Sequence, residues 1–97
     1  MRVIARSTLR EFWGVHPDCE RALKGWYREA KAADWQGPAE VKAEYLSASI
    51  LHDNRVVFNI CGNKYRLVVR ISYKSGAVYI RFVGTHSEYD AIDARTI

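Results

Sequence analysis

The apolar residues of this 97-residue chain change their repeat once, close to Arg55, and that change limits the fold more than any other feature. Before it, Leu9, Phe12, Trp13 and His16, then Leu23, Trp26, Tyr27 and Ala30, recur at the spacing of one helix face. After it, apolar and polar residues alternate with period two over 55–61, 64–74 and 77–85, the pattern of strands buried on one side. Gly62-Asn63 and Ser75-Gly76 fall where antiparallel hairpins need their turns. The expected architecture is α+β: N-terminal helices packed on one face of a small antiparallel sheet. A chain of this length suits a single domain over 1–97.

Local signals supply approximate boundaries. Residues 2–5 read as a short strand, and Ser7 as the cap of a helix reaching Val15. Pro17 suits the first turn of a second helix that runs to about Asp34. Trp35-Gln36-Gly37-Pro38 interrupts the pattern, and Pro38 opens a short third helix over 39–45. Residues 47–54 read as loop, with Asp53-Asn54 turning into the first long strand.

Side chains two residues apart share a face of a strand, which predicts the two sides of the sheet. One side collects Val56, Phe58, Ile60, Tyr65, Leu67, Val69, Ile71, Tyr73, Val78, Ile80 and Phe82, and must meet the helices. The other carries Val57, Asn59, Lys64, Arg66, Val68, Arg70, Tyr79, Arg81 and Val83. Its four charges are all positive, and like charges on neighbouring strands repel unless an outside anion answers them. Arginine's planar fork also matches phosphate. The charge distribution agrees: residues 1–54 are neutral overall, and the net +4 lies entirely in 55–97. A polyanion is therefore expected at the C-terminal half.

The last strand leads into Gly84-Thr85-His86-Ser87-Glu88-Tyr89-Asp90. An imidazole titrates near neutral pH, and one helical turn would bring the Tyr89 phenol beside it. RNA provides its own nucleophile in the 2′-OH, so a base, an acid and cations suffice for cleavage without metal. No zinc-ligand spacing joins His16, His52, His86, Cys19 and Cys61, and no phosphate-loop or dinucleotide-binding glycine motif is present. Neither a cofactor nor a metal is expected. The two cysteines, lacking a CxxC spacing, are expected as reduced thiols. No apolar run approaches a membrane span and the first residues lack a leader's apolar stretch, so a cytoplasmic chain without a membrane partner is expected.

Two strings carry a family likeness. Phe58-Asn59-Ile60-Cys61-Gly62-Asn63-Lys64-Tyr65-Arg66-Leu67 and Gly84-Thr85-His86-Ser87-Glu88-Tyr89-Asp90 together resemble the HigB toxins of the RelE superfamily, with weaker likeness upstream through Trp35, Pro38 and Tyr45. The resemblance implies the RelE-like fold, cleavage of mRNA in the ribosomal A site, and neutralisation by a HigA-like antitoxin with a helix-turn-helix. It also implies that Arg66 contacts the scissile phosphate, with His86 and Tyr89 at the family's other catalytic positions. RelE itself has arginine where this chain has His86, which leaves open whether His86 is acid, base or phosphate ligand. The expected catalytic set is Arg66, Arg81, His86 and Tyr89, with Lys64, Arg70 and Asn63 contacting flanking RNA. The alternative is a translation inhibitor that binds RNA or the ribosome without cutting. A DNA-binding role fits less well, because the second helical segment mixes Arg21, Lys24, Arg28 and Lys31 with Glu20 and Glu29.

Overall fold

The computed structural model describes residues 1–97. Strand β1 (Arg2–Ile4) is followed by helices α1 (Arg6–Val15), α2 (Glu20–Ala32) and α3 (Pro38–Glu44). Strands β2 (Ser49–Ile50), β3 (Arg55–Ile60), β4 (Tyr65–Ser72) and β5 (Ala77–Thr85) come next, and a last helix, α4 (His86–Asp90), follows. The sheet order is β1-β5-β4-β3-β2. The expected antiparallel meander is present in β3, β4 and β5, but β1 adds a parallel edge on β5. Residues 47–54 are not all loop, since Ser49 and Ile50 pair with Val57 and Val56. None of the helices is long and apolar enough to cross a membrane.

Helix ends differ from their sequence signals for identifiable reasons. Ser7 lies inside α1; the cap position belongs to Ala5, held left-handed at φ 75° where β1 turns into the helix. Pro17 opens a single 3-10 turn, Pro17–Cys19, and α2 begins only at Glu20. Helix α2 stops at Ala32 because Ala33 is already extended, and its carbonyl accepts the Met1 amino group at 2.6 Å.

The helical stripes bury Leu9 and Trp13 from α1, and Leu23, Trp26 and Ala30 from α2, against Val56, Phe58, Leu67, Val69, Ile71 and Val78. Each Val, Leu, Ile or Phe side chain among them contributes about 1.5–3 kcal/mol when fully buried. The Phe58 ring organises one end, with Tyr45, Trp26 and Trp35 at centroid distances of 5.0, 5.4 and 6.5 Å.

A β-bulge in β5 revises the predicted faces. Val69 lies opposite Ile80 but Val68 lies opposite Phe82, so Arg81 is the extra residue and has no partner on β4. Beyond the bulge the alternation is inverted. Phe82, expected against the helices, instead packs with Val57, Val68 and Ala94 on the far side. Val83, expected on the far side, packs against the main core. That far side is not an open basic surface either. The segment after α4 lies across it, and Ala94, Ile92 and Ile97 join Leu51, Phe82 and Tyr89 around Val57 and Val68.

Candidate active site

The β4–β5 pairing builds the site. Arg66 stands opposite Gly84 and Tyr65 opposite Thr85, and the His86 amide continues the ladder by donating to the Lys64 carbonyl at 3.2 Å. The chain then coils into α4, started by a capping box: the Glu88 amide donates to Thr85 Oγ1, and the Thr85 amide donates to Glu88 Oε1. Those contacts, led by the Thr85 main-chain N–H, hold the Glu88 carboxyl below the ordinary glutamate value. A side chain at Gly84 would have to displace its neighbours. A Cβ on it would lie 2.5 Å from Phe82 Cζ and 3.1 Å from Glu88 Oε1.

Arg66 is half-buried, and besides a long 3.5 Å bond from Nη1 to the Tyr65 carbonyl its guanidinium is placed by two contacts. Nη1 donates to the Asn63 carbonyl at 3.1 Å, and Cζ lies 5.9 Å from the Tyr89 ring centroid. Tyr89 in turn packs on the far-side apolar layer. His86 is exposed, with Nδ1 3.2 Å from Asp90 Oδ2 one helical turn on. One end of the sheet therefore collects Asn63, Arg66, His86 and Tyr89. The single helical turn expected after β5 is present, but it pairs His86 with Asp90 rather than with the Tyr89 phenol.

The remaining cations are arranged differently from the uncompensated strand face expected of them. Lys64 belongs to the β3–β4 turn, and its ammonium bonds Asp18 Oδ2 at 2.5 Å. The Tyr65 hydroxyl donates to the same carboxylate, at 2.7 and 2.9 Å. The hydrogen bond from Lys64, then that from Tyr65, keeps the Asp18 carboxyl below its usual range, and Lys64 is raised in return. Its charge is thus answered within the molecule. Arg70 lies opposite Arg55 on β3 and Tyr79 on β5. It stands four residues from Arg66, about 13 Å along the strand, with buried Val68 between them. Arg81 is exposed at the bulge, three residues from Gly84, or about 10 Å of strand. Neither Arg70 nor Arg81 forms an ion pair. The predicted cations thus divide into an Arg66 corner and outlying Arg70 and Arg81.

Three features around the candidate site escaped the sequence. Asp18 lies 46 residues from the lysine it holds, and nothing local marks the pair. Arg55, part of the basic half, is only 7% exposed; it donates to Asp53 Oδ2 at 2.8 Å and to the Ile97 main-chain oxygen at 2.9 and 2.6 Å. The segment after α4 did leave a trace, since Ile92, Ala94 and Ile97 are apolar residues in an otherwise polar tail.

Comparison with known proteins agrees with this architecture. Residues 19–92 match the family described as the RelE-like toxic component of a toxin–antitoxin system. The chain is 34% identical over 102 aligned positions to the mRNA interferase toxin HigB of Escherichia coli K12, covering 97% of this chain and 92% of that protein. The same figures hold for the proteins named mRNA interferase HigB in Escherichia coli O157:H7 and Shigella flexneri. With a family match over most of the chain and identity of this level along nearly its whole length, the chain belongs to the HigB family of RelE-like toxins.

Proposed function

We propose that this protein is a ribosome-dependent endoribonuclease that cuts mRNA in the A site without a metal, using the 2′-OH of the RNA as nucleophile. The observation that carries the proposal is the placement of the Arg66 guanidinium between the Asn63 carbonyl and the Tyr89 ring, with His86 exposed on the adjoining turn, its amide bonded to the Lys64 carbonyl. The relatives' name, mRNA interferase, supports the substrate class.

In this mechanism Arg66 binds a non-bridging oxygen of the scissile phosphate and offsets the charge that grows there. The 2′-oxygen attacks phosphorus, the bond from phosphorus to the 5′-oxygen breaks, and the products carry a 2′,3′-cyclic phosphate and a 5′-hydroxyl. His86 and Tyr89 share the two proton transfers, one accepting from the 2′-OH and the other donating to the leaving 5′-oxygen. Asp90, 3.2 Å from His86, orients the ring. Arg81 and Arg70 take phosphates flanking the cut, with Lys64 and Asn63 following the backbone at the turn. The ribosome holds the mRNA in line for attack, which is where proximity contributes most. In the cell a HigA-like helix-turn-helix antitoxin restrains the toxin in the cytoplasm, where its ribosomal target is found.

Primer extension on ribosome-engaged mRNA tests this directly. The wild type should give discrete cuts whose downstream fragments accept phosphate from a polynucleotide kinase. Arg66→Ala and His86→Ala should lose the cuts while remaining folded. Wild-type cutting by both variants would overturn the assignment of roles. Arrested translation on intact mRNA would replace it with a non-catalytic binding function.

A further inference from the structure

The molecule's two cysteines meet where the β3–β4 turn packs on the 3-10 turn, the Cys61 thiol reaching the peptide that joins Asp18 to Cys19. Cys19 ends the 3-10 turn, is fully buried, and donates from Sγ to the His16 carbonyl at 3.1 Å. Cys61 opens the β3–β4 turn, is half-buried, and donates from Sγ to the Asp18 carbonyl at 3.5 Å. That carbonyl carbon is bonded to the Cys19 nitrogen, so the Cys61 sulfur rests against the backbone of Cys19. Burial first, and then the neighbouring Cys61 sulfur, push the Cys19 thiol up to about 11. Both sulfurs are free.

We propose that Cys61 and Cys19 form an oxidisable dithiol, which a peroxide converts into a disulfide joining the β3–β4 turn to the 3-10 turn. Cys61 is the accessible partner and reacts first. Its thiolate attacks one oxygen of hydrogen peroxide, the O–O bond breaks, and the sulfur becomes a sulfenic acid as hydroxide leaves and is protonated to water. Cys19, screened from peroxide by the core, then attacks the Cys61 sulfur. The S–O bond breaks, a second water departs carrying the Cys19 proton, and the S–S bond forms. Two thiols and one peroxide thus give one disulfide and two waters.

The turn can adjust to this bond because Cys61 and Gly62 already hold left-handed backbone, at φ 54° and 66°, where residue 62 as glycine moves without strain. The carbonyl that accepts the Cys61 thiol belongs to Asp18, whose carboxylate holds Lys64 and Tyr65, and the β3–β4 turn also carries Asn63, whose carbonyl anchors Arg66. Oxidation therefore acts on the segment that presents Arg66. In a reducing cytosol such a bond is transient, as expected of a sensor rather than a structural staple.

The test is independent of nuclease activity. The intact folded protein is treated with hydrogen peroxide, quenched with iodoacetamide, and mapped by mass spectrometry without reduction. Expected is a loss of two hydrogen atoms in the monomer, reversed by dithiothreitol, and a cross-linked peptide pair containing Cys19 and Cys61. The melting midpoint should rise by on the order of 10 °C on oxidation. Cys61→Ser should abolish the loss and leave Cys19 unmodified until the chain is unfolded; this variant alters only the half-buried partner, so it keeps the test valid if Cys19→Ser fails to fold. Cys61 progressing to sulfinic acid while Cys19 remains a thiol, disulfides only between molecules, or no oxidation at all would each overturn the proposal.

Discussion

The Arg66 guanidinium faces the Tyr89 ring, its central carbon 5.9 Å from the ring centroid, so the cation most suited to phosphate is stacked on the helix turn that follows β5. The contact leaves the arginine's charge unneutralised while restricting its rotation. Removing the side chain and removing its planarity should therefore have separable effects.

Arg66→Ala should lower the cutting rate by about 10²–10³-fold if the guanidinium stabilises the developing phosphate charge. Arg66→Lys keeps the charge but neither the stacking nor the two-pronged geometry, and should recover less than about a tenth of the wild-type rate. Single-turnover cleavage of ribosome-bound mRNA measures both. A lysine variant at full rate would reduce the arginine to a point charge.

Tyr89 combines a packing role with a proposed chemical one. Tyr89→Phe retains the ring that meets Val57, Val68 and Arg66, so its melting midpoint should stay near wild type. Its cutting rate should fall by about 10²-fold or more if the phenol moves a proton. Tyr89→Ala should lose stability as well, by about 1–3 kcal/mol for a half-buried ring. Denaturant unfolding separates the two variants, and equal rates for Tyr89→Phe and wild type would remove the hydroxyl from the mechanism.

Gly84→Ala should destabilise the fold by about 1–3 kcal/mol, since the new methyl group would enter space held by the Phe82 ring and the Glu88 carboxylate. The predicted casualty is the capping box, because Glu88 cannot retreat without releasing the Thr85 amide. Urea midpoints for Gly84→Ala and for Glu88→Gln should shift in the same direction. An alanine variant as stable as wild type would mean that the ring moves aside freely.

Acid should unfold the protein through Asp18 and Glu88. Both carboxyls are lowered by folding, from ordinary values of 3.8 and 4.5, so their contribution is fully present above those values. It is lost as pH falls below them, through the lowered folded values. The melting midpoint should be flat between about pH 7 and pH 5 and drop below about pH 4. An Asp18→Asn, Glu88→Gln double variant should show a shallower acid limb; an unchanged limb would assign acid sensitivity to other groups.

Much of this architecture was legible because the helical stripes and the alternation in β3 and β4 report the same apolar side of the sheet. Leu9, Trp13, Leu23, Trp26, Val56, Phe58 and Leu67 all lie where their spacing puts them. The bulge was not legible, since Phe82 and Val83 are both apolar and the pair reads equally well either way up. Within the site, the helical turn carrying His86 and Tyr89 next to the Arg66 strand was legible, but the pairing of His86 with Asp90 and of Tyr89 with Arg66 was not. Nor were the partners of Lys64 and Arg55, because Asp18 and Ile97 are brought to them by tertiary folding alone.

The apolar layer over Val57 and Val68 has a consequence for any polynucleotide that docks here. With Ile92, Ala94 and Ile97 spread over the middle of the strands, a nucleic acid cannot lie flat across the sheet as on an open platform. It would follow the rim, over the β3–β4 hairpin tip and the start of α4, meeting Arg81 and Arg70 only at the margins of that layer, so that only a short stretch of backbone is engaged at once. A chain gripped so briefly needs something else to hold it still.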